Sequence, residues 1–462
     1  MHRLYYQVPG TWFGDCMPFG KGQEFYLYHQ RDTRNPIPFG EPFGWSLTTT
    51  SDFVHYQDRG IVIPRGGDLD QDQFVFAGSV FEASGLYHAF YTGFNRDYPK
   101  SGNASQVLMH AYSHDLLTWT KDPEALQLRP QPDYDPDDWR DPFVVWDSQQ
   151  NKYLLILGTR KKGPKTLQTG CTVKFESTDL KHWEFQGEFW APELYTMHEM
   201  PDLFQIGDWW YHVISEYSDK NKVVYRMSKN MEGPWLTPKD DAFDGRAYYA
   251  ARTFCLNGQR VLFGWVPTKE NCDDTKNFEW GGTFLPHEIC QRDDGSLGVK
   301  IPDTIWNSFS SPVFLEDLFI DSSVKRKEVI LYQECGTTYR LEANVKISAG
   351  VRSFGIRFYE DENTGESCQY FISVPENKVV FERNPNLPWF ACMNIGLERP
   401  VELTPEKEYR IRLIVDDTIS VLYIDDIALS VRVYGKPGNS LGLFVTEGKI
   451  KITNISIANI QP

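Results

Sequence analysis

No segment of the chain approaches the ~20 consecutive apolar residues that a membrane-spanning helix requires, which argues against a helical membrane protein. The start, MHRLYYQVPGTWFGD, has no basic cluster followed by an apolar stretch of signal-peptide length, so the expected location is cytoplasmic. Positive charge is scarce: 47 Lys and Arg stand against 63 Asp and Glu, a formal net charge of −16. Nucleic acids and anionic bilayers are held by clustered cations that release counterions, so neither is an expected partner. The 8 cysteines are scattered, with no CxxC pair and no histidines at zinc spacing, and read as free thiols. No metal and no cofactor is expected. Long amphipathic helical patterns are missing as well, which leaves β-structure without a competitor. What remains open to such a chain is a small neutral or saccharide substrate; its oligomeric state is undetermined, a homo-oligomer included.

Aromatic residues, by contrast, are plentiful: 14 Trp, 24 Tyr and 30 Phe make up 15% of the sequence. Flat rings suit both β-sheets and the apolar faces of sugars. A length of 462 residues exceeds what one core usually organises, so two domains are expected. Short β-type runs recur: EFYLYHQ (24–30), LYHAFYTG (86–93), KYLLILGTR (152–160), WWYHVISEY (209–217) and RVLFGWV (260–266). After the first four comes a turn phrase with an aromatic anchor: SDFVHY (51–56), SHDLLTW (113–119), STDLKHW (177–183) and the looser SKNMEGPW (228–235). β units repeating every ~50–60 residues indicate radial repetition, so an all-β fold with a five-bladed β-propeller over residues 1–308 is predicted. A sandwich or meander of look-alike strands is the alternative; the fixed order of strand and then turn phrase favours the propeller.

From about residue 310 the pattern changes. TYRLEANVKI (338–347), RSFGIRFYE (352–360), QYFISVPENKVVFER (369–383), EYRIRLIVDD (408–417) and SVLYIDDIALSVRVY (420–434) alternate apolar with polar residues. Such alternation marks half-buried antiparallel sheets and predicts a β-sandwich over 315–462, with the seam in WNSFSSPVF (306–314). Its carboxylates, Asp416 and Asp425 among them, lack matching acidic partner phrases, which assigns this domain a structural role.

Three acidic phrases fall in different propeller units: TWFGDCMPF (11–19), DWRDPF (138–143) and MHEMPDLF (197–204). In a propeller the innermost strands bring side chains from separate blades to one funnel, so these carboxylates can converge. Each is set among aromatic, Pro or Met neighbours, an apolar setting that raises a carboxyl pKa. Singly each phrase is weak, since Asp before Pro commonly starts a turn and Glu beside His is more often a surface pair. One per blade is a pattern that chance arranges much less readily.

These residues resemble glycoside hydrolase family 32, the invertases, levanases, inulinases and sucrose-6-phosphate hydrolases, along nearly the whole chain. The family's WMNDPNG motif is similar to Trp12-Phe13-Gly14-Asp15-Cys16-Met17-Pro18, its RDP motif to Arg140-Asp141-Pro142, and its ECPDLF motif to Glu199-Met200-Pro201-Asp202-Leu203-Phe204. By resemblance Asp15 is the nucleophile, Asp141 the sugar-gripping stabiliser and Glu199 the acid/base. FAGS (76–79), FYLYHQ (25–30), YYAARTF (248–254) and WGGTFLPHEI (280–289) resemble further family segments. With the three motifs they imply Trp12, Gln30, Phe76, Ser79, Arg140, Tyr249 and Trp280 around the substrate. The family fold, a five-bladed propeller with a β-sandwich, agrees with the repeat reading. Departures concentrate in the first motif: Gly14 replaces the Asn before the nucleophile, and Pro-Asn-Gly after it is absent. Met200 replaces Cys, and Phe39 stands where many relatives place a pocket Trp.

The implied reaction is cleavage of β-fructofuranosidic bonds of sucrose or fructo-oligosaccharides by double displacement, with retention and with carboxyls about 5–5.5 Å apart. Glu199 is expected protonated and Asp15 ionised, with Arg140 holding Asp141 charged. Rival readings are an inverting arabinofuranosidase or xylosidase, a fructosyltransferase, and a catalytically silent carbohydrate-binding propeller.

Overall fold

The computed structural model describes residues 2–122, 127–216, 218, 221–385 and 396–460. Tyr217, which closes one of the strand runs, and Cys392 lie outside the described residues. The fold is all-β. The one α-helix among the described residues is the short Asp303–Asn307, which falls at the start of the seam, and none is long and apolar enough to cross a membrane.

Residues up to Lys300 form five antiparallel sets. The first is β1 (Trp12–Lys21), β2 (Glu24–Asp32), β3 (Trp45–Thr50) and β4 (Gln57–Ile63). The second is β5 (Phe74–Ala83), β6 (Leu86–Phe94), β7 (Gln106–Ser113) and β8 (Trp119–Lys121). The third is β9 (Tyr134–Asp147), β10 (Lys152–Lys161), β11 (Gly170–Ser177) and β12 (Glu184–Trp190). The fourth is β13 (His198–Ile206), β14 (Trp209–Glu216) and β15 (Val223–Ser228), extended by bridges from Val224 to Ala242 and Met227 to Leu236. The fifth is β16 (Tyr249–Leu256), β17 (Gln259–Lys269), β18 (Phe278–Gln291) and β19 (Leu297–Lys300), joined to β1 where Phe13 pairs with Gly282. The first strands neighbour one another in turn, β1 with β5, β5 with β9, β9 with β13, β13 with β16, and β16 again with β1.

The apolar runs legible in the sequence are β2, β6, β10, β14 and β17, the second strand of each set. They carry long buried stretches, as in the Leu154–Arg160 part of β10 and Tyr211–Glu216 of β14. Strands covered on both faces read as continuous rather than alternating runs. The recurring turn phrase is one hydrogen-bonded unit. Ser113 Oγ accepts from Leu116 N (2.9 Å), Asp115 Oδ1 from Leu117 N and Thr118 N (2.9 and 2.7 Å), and Trp119 Nε1 donates to the Leu116 carbonyl (3.3 Å). Ser177, Asp179, Leu180 and Trp183 repeat it, and Thr50, Asp52 and Phe53 repeat its polar part. Short polar side chains that bond the backbone two or three residues on are what make such turns.

Two sheets follow. One contains β20 (Val313–Phe314), β21 (Leu318–Asp321), β23 (Thr338–Ile347), β28 (Glu408–Asp416), β29 (Ile419–Ile424), β30 (Ile427–Arg432) and β32 (Lys449–Asn459). The other contains β22 (Lys327–Tyr332), β24 (Ser353–Glu360), β25 (Ser367–Ser373), β26 (Lys378–Asn384), β27 (Glu398–Pro400) and β31 (Ser440–Thr446). Leu341 and Ile411 of the first meet Phe354 and Leu443 of the second around a narrow apolar gap, so the sheets pack face to face.

Polar groups tie these sheets to the earlier ones. Arg432 is buried and donates to the Val266 and Pro267 carbonyls (2.8 and 3.1 Å). Buried Asp244 accepts from Ser430 N and Oγ (2.7 and 2.6 Å) and lies 3.0 Å from His287 Nε2, whose Nδ1 meets Tyr423 Oη at 2.7 Å. Asp416, fully buried, accepts the backbone N–H groups of Arg3, Leu4 and Tyr5 (2.9, 3.0 and 3.0 Å) and the Thr338 hydroxyl (2.9 Å).

Candidate active site

A cavity of about 850 Å³ opens where the first strands meet. Each of those strands is bulged there. Gly14 and Asp15 face the single residue Gln30; Asp141 and Pro142 face Leu157; Met200 and Pro201 face Ile214; Ala250 and Ala251 face Gly264. In β5 the pairing slips at Ala77. A bulge adds a residue to one strand and re-aims a side chain, which here turns carboxylates from the strand edge into the cavity. Asp141, Met200 and Ala250 take the left-handed backbone (φ 63°, 50° and 53°), and Pro142 and Pro201 have no N–H to leave unpaired. The carbonyls freed by two bulges are taken up by buried Arg252, which donates to the Pro201 and Asp141 oxygens, each at 2.8 Å. Burial brings its guanidinium down to about 10. Gly158 is required opposite β13: a Cβ there would lie 1.9 Å from the His198 carbonyl oxygen.

Asp15, Asp141 and Glu199 all line this cavity. Asp15 Oδ1 accepts from Trp265 Nε1 (3.1 Å), and its Oδ2 accepts from the Gln30 amide (3.1 Å), whose oxygen in turn takes the Ala77 N–H. Asp141 is buried, with Oδ2 accepting from Met200 N and its own N–H given to Thr92 Oγ1, both at 2.9 Å. Glu199 is held from two sides: Arg140 Nη2 and Nε reach Oε1 (2.8 and 3.3 Å), and Tyr249 Oη donates to Oε2 (2.5 Å). Arg140 spans further, to Asp138 Oδ1 (2.9 Å) and Gln106 Oε1 (3.3 Å). The guanidinium therefore bonds Glu199, and among the described residues no hydrogen bond joins it to the Asp141 carboxylate.

Electrostatics follow from crowding. Burial drives the Asp15 carboxyl well above its ordinary range, and the charges of Asp141 and Glu199 add to this against the opposing Trp265 bond and Arg140 charge. Burial raises Asp141 too, with Arg140 opposing and Glu199 reinforcing. Tyr249 is kept neutral, first by burial and then by the adjacent Glu199. Such carboxyls share protons as a cluster, and the ionised Asp15 expected from sequence is one of its microstates.

Of the remaining residues singled out in the sequence, Gln30, Phe76, Arg140, Tyr249 and Trp280 line the cavity. Trp12 and Ser79 do not. Trp12 lies behind the wall under the Arg34 guanidinium, 4.3 Å from its ring, while Arg34 also holds the Glu279 carboxylate and the Trp280 carbonyl. Ser79 is turned below the cavity, where its hydroxyl accepts from Val144 N (3.3 Å). Phe39 is in the lining, its ring 4.5 Å from that of Trp280. Trp280 explains Gly14: a Cβ at position 14 would lie 2.2 Å from Cη2 of that indole. Sequence reasoning missed Trp265, Gln106, Asp138 and Arg252. Trp265 sat in a run read only as a strand, and Asp138 opened a phrase read for Arg140 and Asp141 alone.

Comparison with known proteins bears on this arrangement. Residues 9–298 match the model of the glycosyl hydrolases family 32 N-terminal domain, and residues 319–459 that of the family 32 C-terminal domain. A levanbiose-producing levanase of Bacillus subtilis is 24% identical, over 99% of this chain and 90% of that protein. A sucrose-6-phosphate hydrolase of Escherichia coli is 22% identical, over 95% of this chain and 88% of that protein. The crystal structure of fructan 1-exohydrolase IIa from Cichorium intybus in complex with 1-kestose superposes with a TM-score of 0.81 at 17% identity, covering 100% of this chain and 97% of that one.

Proposed function

Because the chain belongs to glycosyl hydrolases family 32, we propose that it is a retaining glycoside hydrolase cleaving β-fructofuranosidic bonds of sucrose or short fructans. The named relatives act on levan or sucrose 6-phosphate, or bind 1-kestose, which supports a small fructoside as substrate. We read the five strand sets of residues 1–308 as five blades of a propeller and residues 315–462 as a separate β-sandwich. The ring of neighbouring first strands supports the former, and the face-to-face packing after Val313 the latter.

The observation that carries the mechanism is that bulges of three separate sheets deliver three carboxylates to one cavity, each with different partners. Asp15, steadied by Trp265 and Gln30, attacks the anomeric carbon. Glu199 gives its proton to the departing oxygen, and the glycosidic bond breaks with its electron pair passing to that oxygen. Water deprotonated by Glu199 then releases the sugar from Asp15. Asp141, fixed by the Met200 N–H, grips the sugar hydroxyls more tightly as charge develops. Gln30, Phe76, Arg140, Tyr249 and Trp280 contact the substrate, and Trp12 and Ser79 support the wall from behind.

The test is a product assay on sucrose, sucrose 6-phosphate, inulin- and levan-type oligosaccharides and aryl arabinofuranosides, with nuclear magnetic resonance of the first-released sugar. Free fructose with retained anomeric configuration is expected. Inversion overturns double displacement, and release of arabinose alone overturns the substrate class.

A further inference from the structure

Behind Glu199 the charges alternate through the protein. Arg140 faces Glu199 with Nη2 and Nε and faces Asp138 with Nη1 (2.9 Å). Asp138, on the same strand β9, is 3% exposed, and its other oxygen takes Arg160 Nε at 2.6 Å. Arg160, from β10, is also buried and continues to Asp135 and to the Gly163 carbonyl (2.7 Å). Lys165 Nζ stands 3.7 Å from the same Asp138 oxygen. The series runs Arg160, Asp138, Arg140, Glu199, and ends on the Tyr249 hydroxyl.

An acid/base carboxyl has two demands that conflict. It must hold a proton before the bond breaks, yet it needs a fixed orientation, and the group fixing it here is a guanidinium, which favours the anion. Resting on the acid/base reading of Glu199, we propose that Asp138 is a positioning residue that divides the charge of Arg140, so that Arg140 orients Glu199 without keeping it ionised.

Among the described residues, Asp15, Asp141 and Tyr249 line the cavity with Glu199, and Glu216 acts on Tyr249. Asp15 comes from β1 and Asp141 from β9, and Glu199 raises the carboxyls of both, while Tyr249 from β16 is a neutral donor to Glu199. Arg140 is the cation hydrogen-bonded to it. Asp138 meets Arg140, Arg160 and Lys165, whose charges and bonds outweigh burial and hold its carboxyl below the ordinary range. It therefore stays ionised while the catalytic group titrates. Asp138 touches Glu199 only through Arg140, so its effect is on proton affinity and orientation.

The experiment compares kcat/KM against pH for a fructoside with a sugar leaving group and for an aryl fructoside whose nitrophenolate departs without protonation. Asp138→Asn leaves the charge of Arg140 undivided, so the alkaline limb moves down by about one pH unit. The rate on the sugar fructoside near neutrality falls roughly tenfold, while the aryl substrate loses much less. Asp138→Glu restores the limb. Arg160→Gln concentrates the Asp138 charge on Arg140 and moves the limb the opposite way, upward. An unmoved limb in Asp138→Asn, or equal losses on the two substrates, overturns the proposal. Should Asp138→Asn fail to fold, as thermal melting shows, the direction of the Arg160→Gln shift decides alone. Glu199→Gln separates this idea from its premise: if that variant shows no preference for the aryl substrate, the acid/base reading itself falls.

Discussion

Two sets of buried carboxylates, one at the cavity and one where the later sheets meet the earlier ones, are treated oppositely by the same fold. Asp141 and Asp416 are both almost without solvent exposure. Burial alone raises either carboxyl, yet Asp141 ends above its ordinary range and Asp416 below it. The difference lies in the partners. Asp416 receives the N–H groups of three successive residues, a hydroxyl, and His2 nearby. Asp244 is likewise lowered, as His287 and Ser430 outweigh burial. Asp141 and Asp15 have fewer donors and share their space with a third acid. Bonds directed at the charged form lock a residue in place; crowding of like charges keeps a residue reactive at a cost in stability.

The comparison breaks most sharply at Asp15. Asp15→Asn is expected to cut turnover roughly 10⁴-fold or more and to leave the melting temperature unchanged or higher, since it removes one of the crowded charges. Asp141→Asn follows with a loss of about 10²–10³-fold and an intact fold. Steady-state kinetics with thermal melts on the same preparations check both; a drop in melting temperature at Asp15 would reverse the contrast between the two sets.

Asp416→Ala is the mirror experiment. It strands three buried N–H groups and is expected to cost about 3 kcal/mol or more of stability, with kcat per folded molecule within about twofold of wild type. Denaturant unfolding beside active-site-normalised rates measures it. Asp425 differs from Asp416, since its contact with Arg410 N is exposed and its loss should matter little.

Acid sharpens the contrast further. A carboxyl depressed in the fold, like Asp416 or Asp244, stabilises it fully above the unfolded value and loses that contribution as pH falls through the folded one. A raised carboxyl, like Asp15 or Asp141, destabilises at neutral pH, and protonation relieves the penalty as pH falls. Acidification therefore relaxes the cavity before it loosens the join. Melting temperatures between about pH 3 and pH 8 should show less acid sensitivity in Asp416→Asn than in wild type, and more in Asp15→Asn. The smallest effect is at Gly14: Gly14→Ala must displace the Trp280 indole and is expected to raise KM by about three- to tenfold, with a lesser change in kcat.

Much of this was legible in the sequence because it is local. The Ser-x-Asp-Leu turn writes its hydrogen bonds within four residues, so SHDLLTW and STDLKHW announce their geometry. Buried strands such as KYLLILGTR announce themselves by composition. The carboxylates were found because each sits in a compact phrase. Partners set by tertiary approach were not: the Trp265 bond to Asp15 and the Arg252 bonds to two bulged carbonyls join residues with no common pattern. Bulges also defeat counting by twos. Ser79 follows the slip at Ala77 and points below the cavity that a motif match had assigned it to. Asp416, read as an ordinary strand-end acid, owes its importance to residues more than four hundred positions earlier in the chain.

That last separation bears on how the molecule is made. Phe13 cannot pair with Gly282, nor can Arg3, Leu4 and Tyr5 give their N–H groups to Asp416, until those distant residues exist. At about 5–20 residues per second, roughly 13–54 s pass between the emergence of Phe13 and of Gly282, and roughly 20–80 s before Asp416 follows Tyr5. During that interval β1 pairs with β2 on one edge only, and its other edge is an open template for a wrong partner. The first set is thus the earliest to be synthesised and among the last to be finished, and yield on expression should depend on how well that edge is shielded while the chain grows.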